Sequence, residues 1–187
     1  GKERAVERKM IVAFGEALWD LLPSGPVLGG APLNFAYRVN TLGERGVIVS
    51  RLGADDFGDR ACAAIRDLGL ETRYVSRDPD RATGTVEVDL SDEHNPDYYI
   101  VEDAAYDFVP LTDDLLELAS MSDCICFGTL AQREAVSRRT VESMLESFTG
   151  SYRLLDINLR KNCYTPASIR SSLERADILK LNAEEVP

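Results

Sequence analysis

The chain has 187 residues, of which 44% are hydrophobic and 28% are charged, the balance of an ordinary soluble globular domain. The formal net charge is −11, and segment 82–132 contains no Lys or Arg. A nucleic-acid-binding protein needs a basic surface that displaces phosphate counterions, and no basic stripe is visible. No apolar stretch reaches the roughly 18 residues of a membrane-spanning helix. We therefore expect neither a nucleic-acid partner nor a membrane partner.

The histidine and cysteine content limits the kinds of site that the chain can build. His94 is the only histidine, which excludes sites with two histidine ligands. The cysteines contain no C-x-x-C pair, which favours reduced, mostly buried thiols in a cytoplasmic protein over a disulfide or a zinc site. The four are Cys62, Cys124, Cys126 and Cys163. We interpret the polar opening segment 1–9 as a frayed tail or an expression remnant.

Strand patterns and helix patterns alternate along the rest of the chain. Short apolar runs predict buried strands over 10–14, 46–52, 123–127, 152–157 and 178–181. Helical spacing and capping residues predict a helix from Pro32 to Gly43, a helix between a cap at Asp55 and Gly69, and helices over 134–148 and 166–174. This alternation predicts an α/β fold with a mainly parallel sheet sandwiched by helices.

A hairpin pattern interrupts the alternation. Residues 83–90 alternate between polar and apolar types, residues 98–101 are rich in β-formers, and a polar turn over 91–96 separates them. We interpret the insert as part of a lid over the carboxyl ends of the parallel strands, with lid strands near 17–28 and 83–108. The alternative is an edge hairpin of the main sheet.

Two groups of residues around the first helix are candidates for ligand binding. Gly29 and Gly30 let the backbone approach a ligand closely, and the amide of Asn34 can hold hydroxyl groups. The alternative is a tight turn followed by a capping residue. Asp20 lies among apolar residues, so its carboxylate either points out of its strand or is held there for a purpose.

Two further groups follow later strands. Asp156, Asn158 and Arg160 alternate, which predicts that they share one side of an extended strand end. Asn182 and Glu185 are also candidates for ligand binding. The alternative interpretation is that they form a helix cap with a capping box. The chain has no G-x-x-x-x-G-K-[ST] and no G-x-G-x-x-G motif, which disfavours a P-loop NTPase and an ordinary Rossmann dehydrogenase.

These motifs together resemble a known family. Residues 29–36, Gly43 and residues 51–58 resemble the first signature of the ribokinase-like (PfkB-type) carbohydrate kinases in residue types and in spacing. Three further pieces similar to that family follow its order, at 15–20, 156–160 and 180–185. The Gly-Glu-Ala-Leu-Trp-Asp opening and the D-x-N-x-R form are most similar to fructokinases and related sugar-acid kinases. The resemblance implies a ribokinase-like fold, with a Rossmann-like core and a small β lid.

The resemblance also implies roles for individual residues. The sugar-binding residues would be Asp20, Gly29, Gly30, Asn34 and Arg160. The residues that shape the site between sugar and phosphates would be Asp156 and Asn158. The residues that position ATP and its Mg²⁺ through water, without a direct metal bond, would be Asn182 and Glu185. In this family the lids often pair, so a homodimer through the lid is a further expectation, as is a monovalent cation in the complete enzyme.

The chain departs from the family pattern in one respect. Family members carry a G-A-G-D motif that supplies an anion hole and a catalytic base, and the only Gly-Asp pair here is Gly58-Asp59, in a predicted helix. We therefore expect residues 10–187 to be the N-terminal part of an ATP-dependent sugar kinase, most similar to a fructokinase, that is inactive without the ATP-binding part. The alternatives are a truncated, non-catalytic protein that binds a sugar or a partner, and a kinase of a ketogluconate or a nucleoside.

Overall fold

The computed structural model describes residues 7–89 and 97–186. The strands are β1 (Met10–Phe14), β2 (Leu18–Leu22), β3 (Gly25–Gly29), β4 (Arg45–Gly53), β5 (Val75–Asp78), β6 (Gly84–Asp89), β7 (Asp97–Ile100), β8 (Cys124–Phe127), β9 (Tyr152–Asp156) and β10 (Ile178–Lys180). The α-helices are α1 (Ala31–Thr41), α2 (Asp56–Asp67), α3 (Asp113–Met121), α4 (Ala135–Ser147) and α5 (Pro166–Arg175). Short 3-10 helices cover Ala105–Phe108, Leu130–Gln132 and Ala183–Glu185.

The main sheet has six parallel strands in the order β10-β9-β8-β1-β4-β5. Val12 and Phe14 of β1 pack in a cluster with α3 and α4, whereas Ala13 packs in a second cluster with α1 and α2. The sheet is thus covered on both faces, which confirms the predicted α/β class. The strand order reverses between β1 and β8, and open α/β sheets bind ligands outside the carboxyl ends of the strands at such a point.

A second, separate sheet has the strand order β3-β2-β6-β7, and we call these four strands the lid sheet. The β6–β7 pair is antiparallel, as the hairpin pattern predicted, and β2 pairs with β6 in parallel. Because these strands are not part of the main sheet, the edge-hairpin interpretation is wrong. The turn over 91–96, which includes His94, lies outside the described residues.

An ion pair is buried where the lid sheet joins the body. Arg133 donates from Nε and Nη2 to the two carboxylate oxygens of Asp107, at 2.8 and 2.7 Å. Nη2 also donates to the carbonyl of Val101, directly after β7, at 2.7 Å. We call Arg133 and Asp107 the lid-base pair. Separating a buried charge from its partner is strongly unfavourable, so Asp107 holds the Arg133 guanidinium in place. The hydrogen bond from Arg133 to Val101 then fixes the end of β7 to the body.

None of the helices within residues 7–89 and 97–186 combines the length and the apolar character that crossing a bilayer requires. Among the strands and α-helices, two were not predicted from the sequence. These are β5 and α3, and α3 has an N-cap at Thr112, whose side chain accepts a hydrogen bond from the amide of Leu115.

Candidate functional site

A cleft of about 650 Å³ opens between the lid sheet and the carboxyl ends of the main-sheet strands. Its polar lining includes Asp20 from β2, Asn34 from the first turns of α1, and Asn158 and Arg160 from the segment after β9. Its apolar lining comes mostly from the lid sheet and includes Leu18, Leu22, Val27, Val86, Tyr98 and Ile100. The cleft thus combines polar side chains from both the lid sheet and the body with an apolar surface that comes mostly from the lid sheet.

Two glycines bring the start of α1 close to the cleft. Gly30 is the N-cap of α1 and has φ +111°, and a Cβ on it would lie 2.4 Å from the carbonyl oxygen of Glu16. A Cβ on Gly29 would lie 3.1 Å from Oδ2 of Asp20. The absence of side chains therefore lets α1 begin against the floor of the cleft. Gly30 lines the cleft, and Gly29 lies directly beside it.

The segment after β9 reaches the cleft in a different way from the prediction. Strand β9 ends at Asp156, and Asn158 has φ +34°. The prediction that Asp156, Asn158 and Arg160 share one side of an extended strand end is therefore wrong. The last residue of β10 pairs with Asp156, and the chain turns immediately beyond that pairing. Asp156 and Asn158 line a narrow recess below the cleft, whereas Asn158 and Arg160 line the cleft itself.

Asn182 and Glu185 form the capping box that the alternative interpretation described. Oδ1 of Asn182 accepts hydrogen bonds from the amides of Glu184 and Glu185, each at 3.0 Å, and the Glu185 carboxylate accepts from the amide of Asn182 at 2.9 Å. The other Glu185 oxygen accepts from the amide of Leu159. Neither residue lines the cleft, but Glu185 fixes the segment that carries Asn158 and Arg160.

Glu16 is a cleft residue to which the sequence analysis assigned no role. It is 6% exposed and lines both the cleft and the recess below it. Burial raises the pKa of its carboxyl to about 7, against the opposing effects of two backbone amides and of Arg160, while Asp156 raises it further. The available signal was its position directly after Gly15 at the carboxyl end of β1.

Two other charged groups of the cleft are Asp20 and Arg160. Burial raises the pKa of Asp20, and Arg160 opposes that increase. Arg160 is exposed and, among the residues that the structure describes, forms no ion pair with a carboxylate. Its guanidinium is therefore available to a ligand. Carboxylate, amide and guanidinium groups together can bind several hydroxyl groups of one small polar molecule.

The cysteines are all free thiols, as predicted, and three of them are buried. Cys163 packs in the core, with its sulfur 3.8 Å from Nη1 of Arg133, and does not line the cleft. Burial raises the pKa of Cys124 to about 11. These thiols belong to the packing of the body.

Comparison with known proteins gives one family. The sequence model of the pfkB family carbohydrate kinases matches residues 26–186. An uncharacterized sugar kinase of Pyrococcus horikoshii is 29% identical over 195 residues, which cover 95% of this chain and 63% of that protein. Its crystal structure superposes with a TM-score of 0.82 over 94% of this chain and 66% of that chain, and it has also been crystallised in complex with ATP.

Two fructokinases are also similar to the chain. The fructokinase of Escherichia coli is 28% identical over 185 residues, which cover 92% of this chain and 60% of that protein. The apo structure of the fructokinase from Vibrio cholerae O395 is 25% identical, with a TM-score of 0.79 over 96% of this chain and 65% of that chain. The chain thus spans 60–63% of the length of the curated relatives described here.

Proposed function

Because the chain belongs to the pfkB family of carbohydrate kinases, we propose that it forms the sugar-binding part of an ATP-dependent kinase that phosphorylates a sugar hydroxyl. The observation that carries the proposal is the cleft in which Asp20 of the lid sheet converges with Asn34 and Arg160 of the body. Fructose is the first substrate to test, since the relatives from E. coli and V. cholerae are fructokinases.

Each cleft residue has a chemistry that suits a sugar. The Asp20 carboxylate accepts hydrogen bonds from hydroxyl groups, the Asn34 amide both donates and accepts, and the Arg160 guanidinium donates. Tyr98 and Ile100 of the lid sheet offer an apolar surface to the C–H face of the ring. This combination of polar groups with an apolar surface supports a sugar rather than a purely apolar ligand.

Phosphoryl transfer needs a donor, and the ATP complex of the P. horikoshii kinase supports ATP in that role. When bound, ATP supplies the phosphoryl group: the sugar oxygen bonds to the γ-phosphorus, ADP leaves, and the hydroxyl proton passes to a base. The 187 residues contain no G-x-G-D sequence, so the proposal assigns no catalytic base within them. Asp156 and Asn158 line the recess next to the cleft and would shape the site where the sugar meets the phosphates.

The residues proposed for Mg²⁺ fit a water-mediated role. Both lone pairs of Asn182 Oδ1 are used by backbone amides, whereas each Glu185 oxygen accepts one backbone hydrogen bond and keeps a second lone pair. Within residues 7–89 and 97–186, no group of three acidic, histidine or cysteine side chains is placed to hold a metal directly. Glu185 would therefore bind waters of the metal, and Asn182 would keep Glu185 in place.

A ketogluconate is the second substrate class to test, and Arg160 is the observation that favours it. An arginine binds a carboxylate with two parallel hydrogen bonds, so an uncommitted guanidinium in the cleft suits a sugar acid. Arg160→Ala should weaken the binding of a sugar acid more than that of fructose. Equal losses for both ligands would argue against a carboxylate-binding role.

The experiment that tests the function is fructose binding by isothermal titration calorimetry, followed by fructose-dependent release of ADP from ATP in the longest chain available. Asp20→Ala should abolish fructose binding while leaving the unfolding transition nearly unchanged. The matched control is Asp114→Ala, on the exposed side of α3, which should bind fructose like the wild type. Normal fructose binding by Asp20→Ala would remove Asp20 from the site, and no binding of any sugar by the wild type would overturn the proposed function.

A further inference from the structure

The connection between β4 and α2 contacts the lid sheet without reaching the cleft. Residues 53–58 run from the last residue of β4 into the first turn of α2, and we call them the α2 turn. None of these six residues lines the cleft. Three hydrogen bonds nevertheless connect the α2 turn to Thr83, which directly precedes β6 and is 3% exposed.

Asp55 forms two of these three hydrogen bonds. Its Oδ2 accepts from the amide of Thr83 at 2.8 Å, and its Oδ1 accepts from the Thr83 hydroxyl at 2.6 Å. That hydroxyl in turn accepts from the amide of Gly53 at 2.9 Å. Oδ1 of Asp55 also accepts from the amide of Gly58 at 2.7 Å, which is the bond that caps α2. Capping the helix needs only this last bond, so the two bonds to Thr83 call for another explanation.

Two glycines of the α2 turn allow it to approach Thr83 closely. A Cβ on Gly53 would lie 2.6 Å from the amide nitrogen of Thr83, and a Cβ on Gly58 would lie 3.0 Å from its Oγ1. A side chain at either position would therefore push the α2 turn away from Thr83. The α2 turn thus contacts Thr83 through one carboxylate and two residues without side chains.

Trp19 connects a second strand of the lid sheet to the α2 turn. Its Nε1 donates to the carbonyl of Phe57 at 3.0 Å, and the centroids of the two rings are 5.7 Å apart. Trp19 is 6% exposed and precedes Asp20 in β2, where alternate residues face opposite sides of the strand. Strand β2 pairs in parallel with β6, with Asp20 opposite Val86. The strand that carries Asp20 and its neighbour are therefore both attached to the α2 turn.

We propose that Asp55 and Thr83 are positioning residues of the sugar cleft, which hold the lid sheet against the α2 turn and so place Asp20 for binding a sugar hydroxyl. The inference rests on the proposed sugar-binding function. Neither Asp55 nor Thr83 lines the cleft, so both act through the lid sheet. When their contact is broken, only a fraction of the molecules keeps the lid sheet in place, and the apparent affinity for the sugar falls by that fraction.

The fluorescence of Trp19 tests the contact without a sugar, since Trp19 is the only tryptophan of the chain. Asp55→Asn keeps the helix cap, because asparagine caps helices as well as aspartate does, but it places an NH₂ donor opposite the amide of Thr83. We expect acrylamide to quench Trp19 more strongly in Asp55→Asn and in Thr83→Val than in the wild type, with emission shifted to longer wavelengths. Thr83→Ser keeps the hydroxyl and should behave like the wild type. Wild-type quenching in both Asp55→Asn and Thr83→Val would overturn the proposal and leave Asp55 as a helix cap alone.

Fructose binding by titration calorimetry tests the consequence for the cleft. Asp55→Asn and Thr83→Val should bind fructose about fivefold to tenfold more weakly than the wild type, and Thr83→Ser should keep the wild-type affinity. Unchanged affinity in the first two variants would overturn the proposal.

The matched control is Thr140→Val, which removes a buried hydroxyl from α4 in the body. Thr140 is 1% exposed, and its hydroxyl donates to the carbonyl of Val109 at 2.7 Å. This variant should keep the wild-type fructose affinity and the wild-type quenching of Trp19. Losses equal to those of Thr83→Val would overturn the proposal in favour of a general loss of stability. No binding of any sugar by the wild type would instead overturn the proposed function, which the quenching test does not need.

Discussion

Two buried carboxyl groups differ in their partners. Asp107 lies at the base of the lid sheet, and Glu16 lines the cleft. Asp107 is fully buried and receives two hydrogen bonds from Arg133 and a third from the amide of Ala104. Glu16 is also buried, but among the described residues no basic side chain forms an ion pair with its carboxyl group. Complete pairing suits a structural role, whereas burial without a paired base raises the pKa of Glu16 to about 7.

The largest effect should come from breaking the lid-base pair. Arg133→Met leaves Asp107 buried without a partner, and removing one member of a buried pair costs about 3–5 kcal/mol of unfolding free energy. Urea unfolding measures the loss. Hydrogen exchange should also accelerate at the amide of Val101, which donates to the carbonyl of Thr85 within the lid sheet.

The matched control is Arg45→Met, which removes the same side chain from an exposed pair. Arg45 lies 2.8 Å from Glu71, and both side chains are more than one-third exposed. Solvent screens such pairs, so the unfolding free energy should change far less than in Arg133→Met. Equal changes in the two variants would show that burial does not distinguish the lid-base pair.

Glu16→Gln should increase the unfolding free energy, whereas Arg133→Met decreases it. The carboxyl group has an ordinary pKa of 4.5 and, because of burial, a pKa of about 7 in the folded protein. The unfolded chain therefore releases this proton above pH 4.5 while the folded protein keeps it until about pH 7, so stability falls as the pH rises between these values. The full loss is about 3 kcal/mol, at about 1.4 kcal/mol for each pH unit.

Urea unfolding at pH 5 and pH 8 measures this prediction. Glu16→Gln lacks the carboxyl group, so its advantage over the wild type should be greater at pH 8 than at pH 5. Glu146→Gln makes the same change at an exposed position of α4 and should follow the wild type at both pH values. If Glu16→Gln and Glu146→Gln behave alike, Glu16 carries no buried-charge penalty.

Gly30→Ala tests the contact between α1 and the Glu16 backbone. The new Cβ would lie 2.4 Å from the Glu16 carbonyl oxygen, and φ +111° is strained for any residue with a side chain. We expect a loss of about 1–3 kcal/mol in unfolding free energy and a weaker affinity for fructose. Gly25→Ala has a similar φ of +118° with no atom within 4 Å, so it carries the strain without the clash. Equal losses would mean that the close approach of α1 is unimportant.

The fold was largely predictable because its signals are local. Asp55, for example, caps α2 by accepting from the amide of Gly58 at 2.7 Å, as its position before an apolar helix face predicted. The superpositions on sugar kinases confirm the ribokinase-like fold that the motifs implied. Strand β5 was missed because Val-Ser-Arg-Asp contains one apolar residue, whereas α3 was missed although Thr112 and two following aspartates gave a cap signal.

Part of the cleft lining was predictable from the sequence, but the geometry of the cleft was not. Asp20, Asn34 and Arg160 do share one cleft, yet Arg160 arrives there through a turn at Asn158 rather than along a strand. That turn depends on where pairing with β10 ends, which is a tertiary property. Glu16 stands in the sequence as an acid after a strand, but its burial depends on the end of α1 and on residues far along the chain.

The smallest expected effect concerns the contribution of the lid sheet to the cleft. Tyr98 and Tyr99 are neighbours in β7, with exposed fractions of 55% and 58%, but only Tyr98 lines the cleft. Alternate residues of a strand face opposite sides, so Tyr98→Ala should weaken fructose binding a few-fold while Tyr99→Ala leaves it unchanged. Titration calorimetry measures the fructose affinity of the two variants, each of which loses one tyrosine side chain. Equal affinities for both would mean that the polar groups of the cleft bind the sugar without the ring of Tyr98, and that the lid-base pair holds β7 for stability alone.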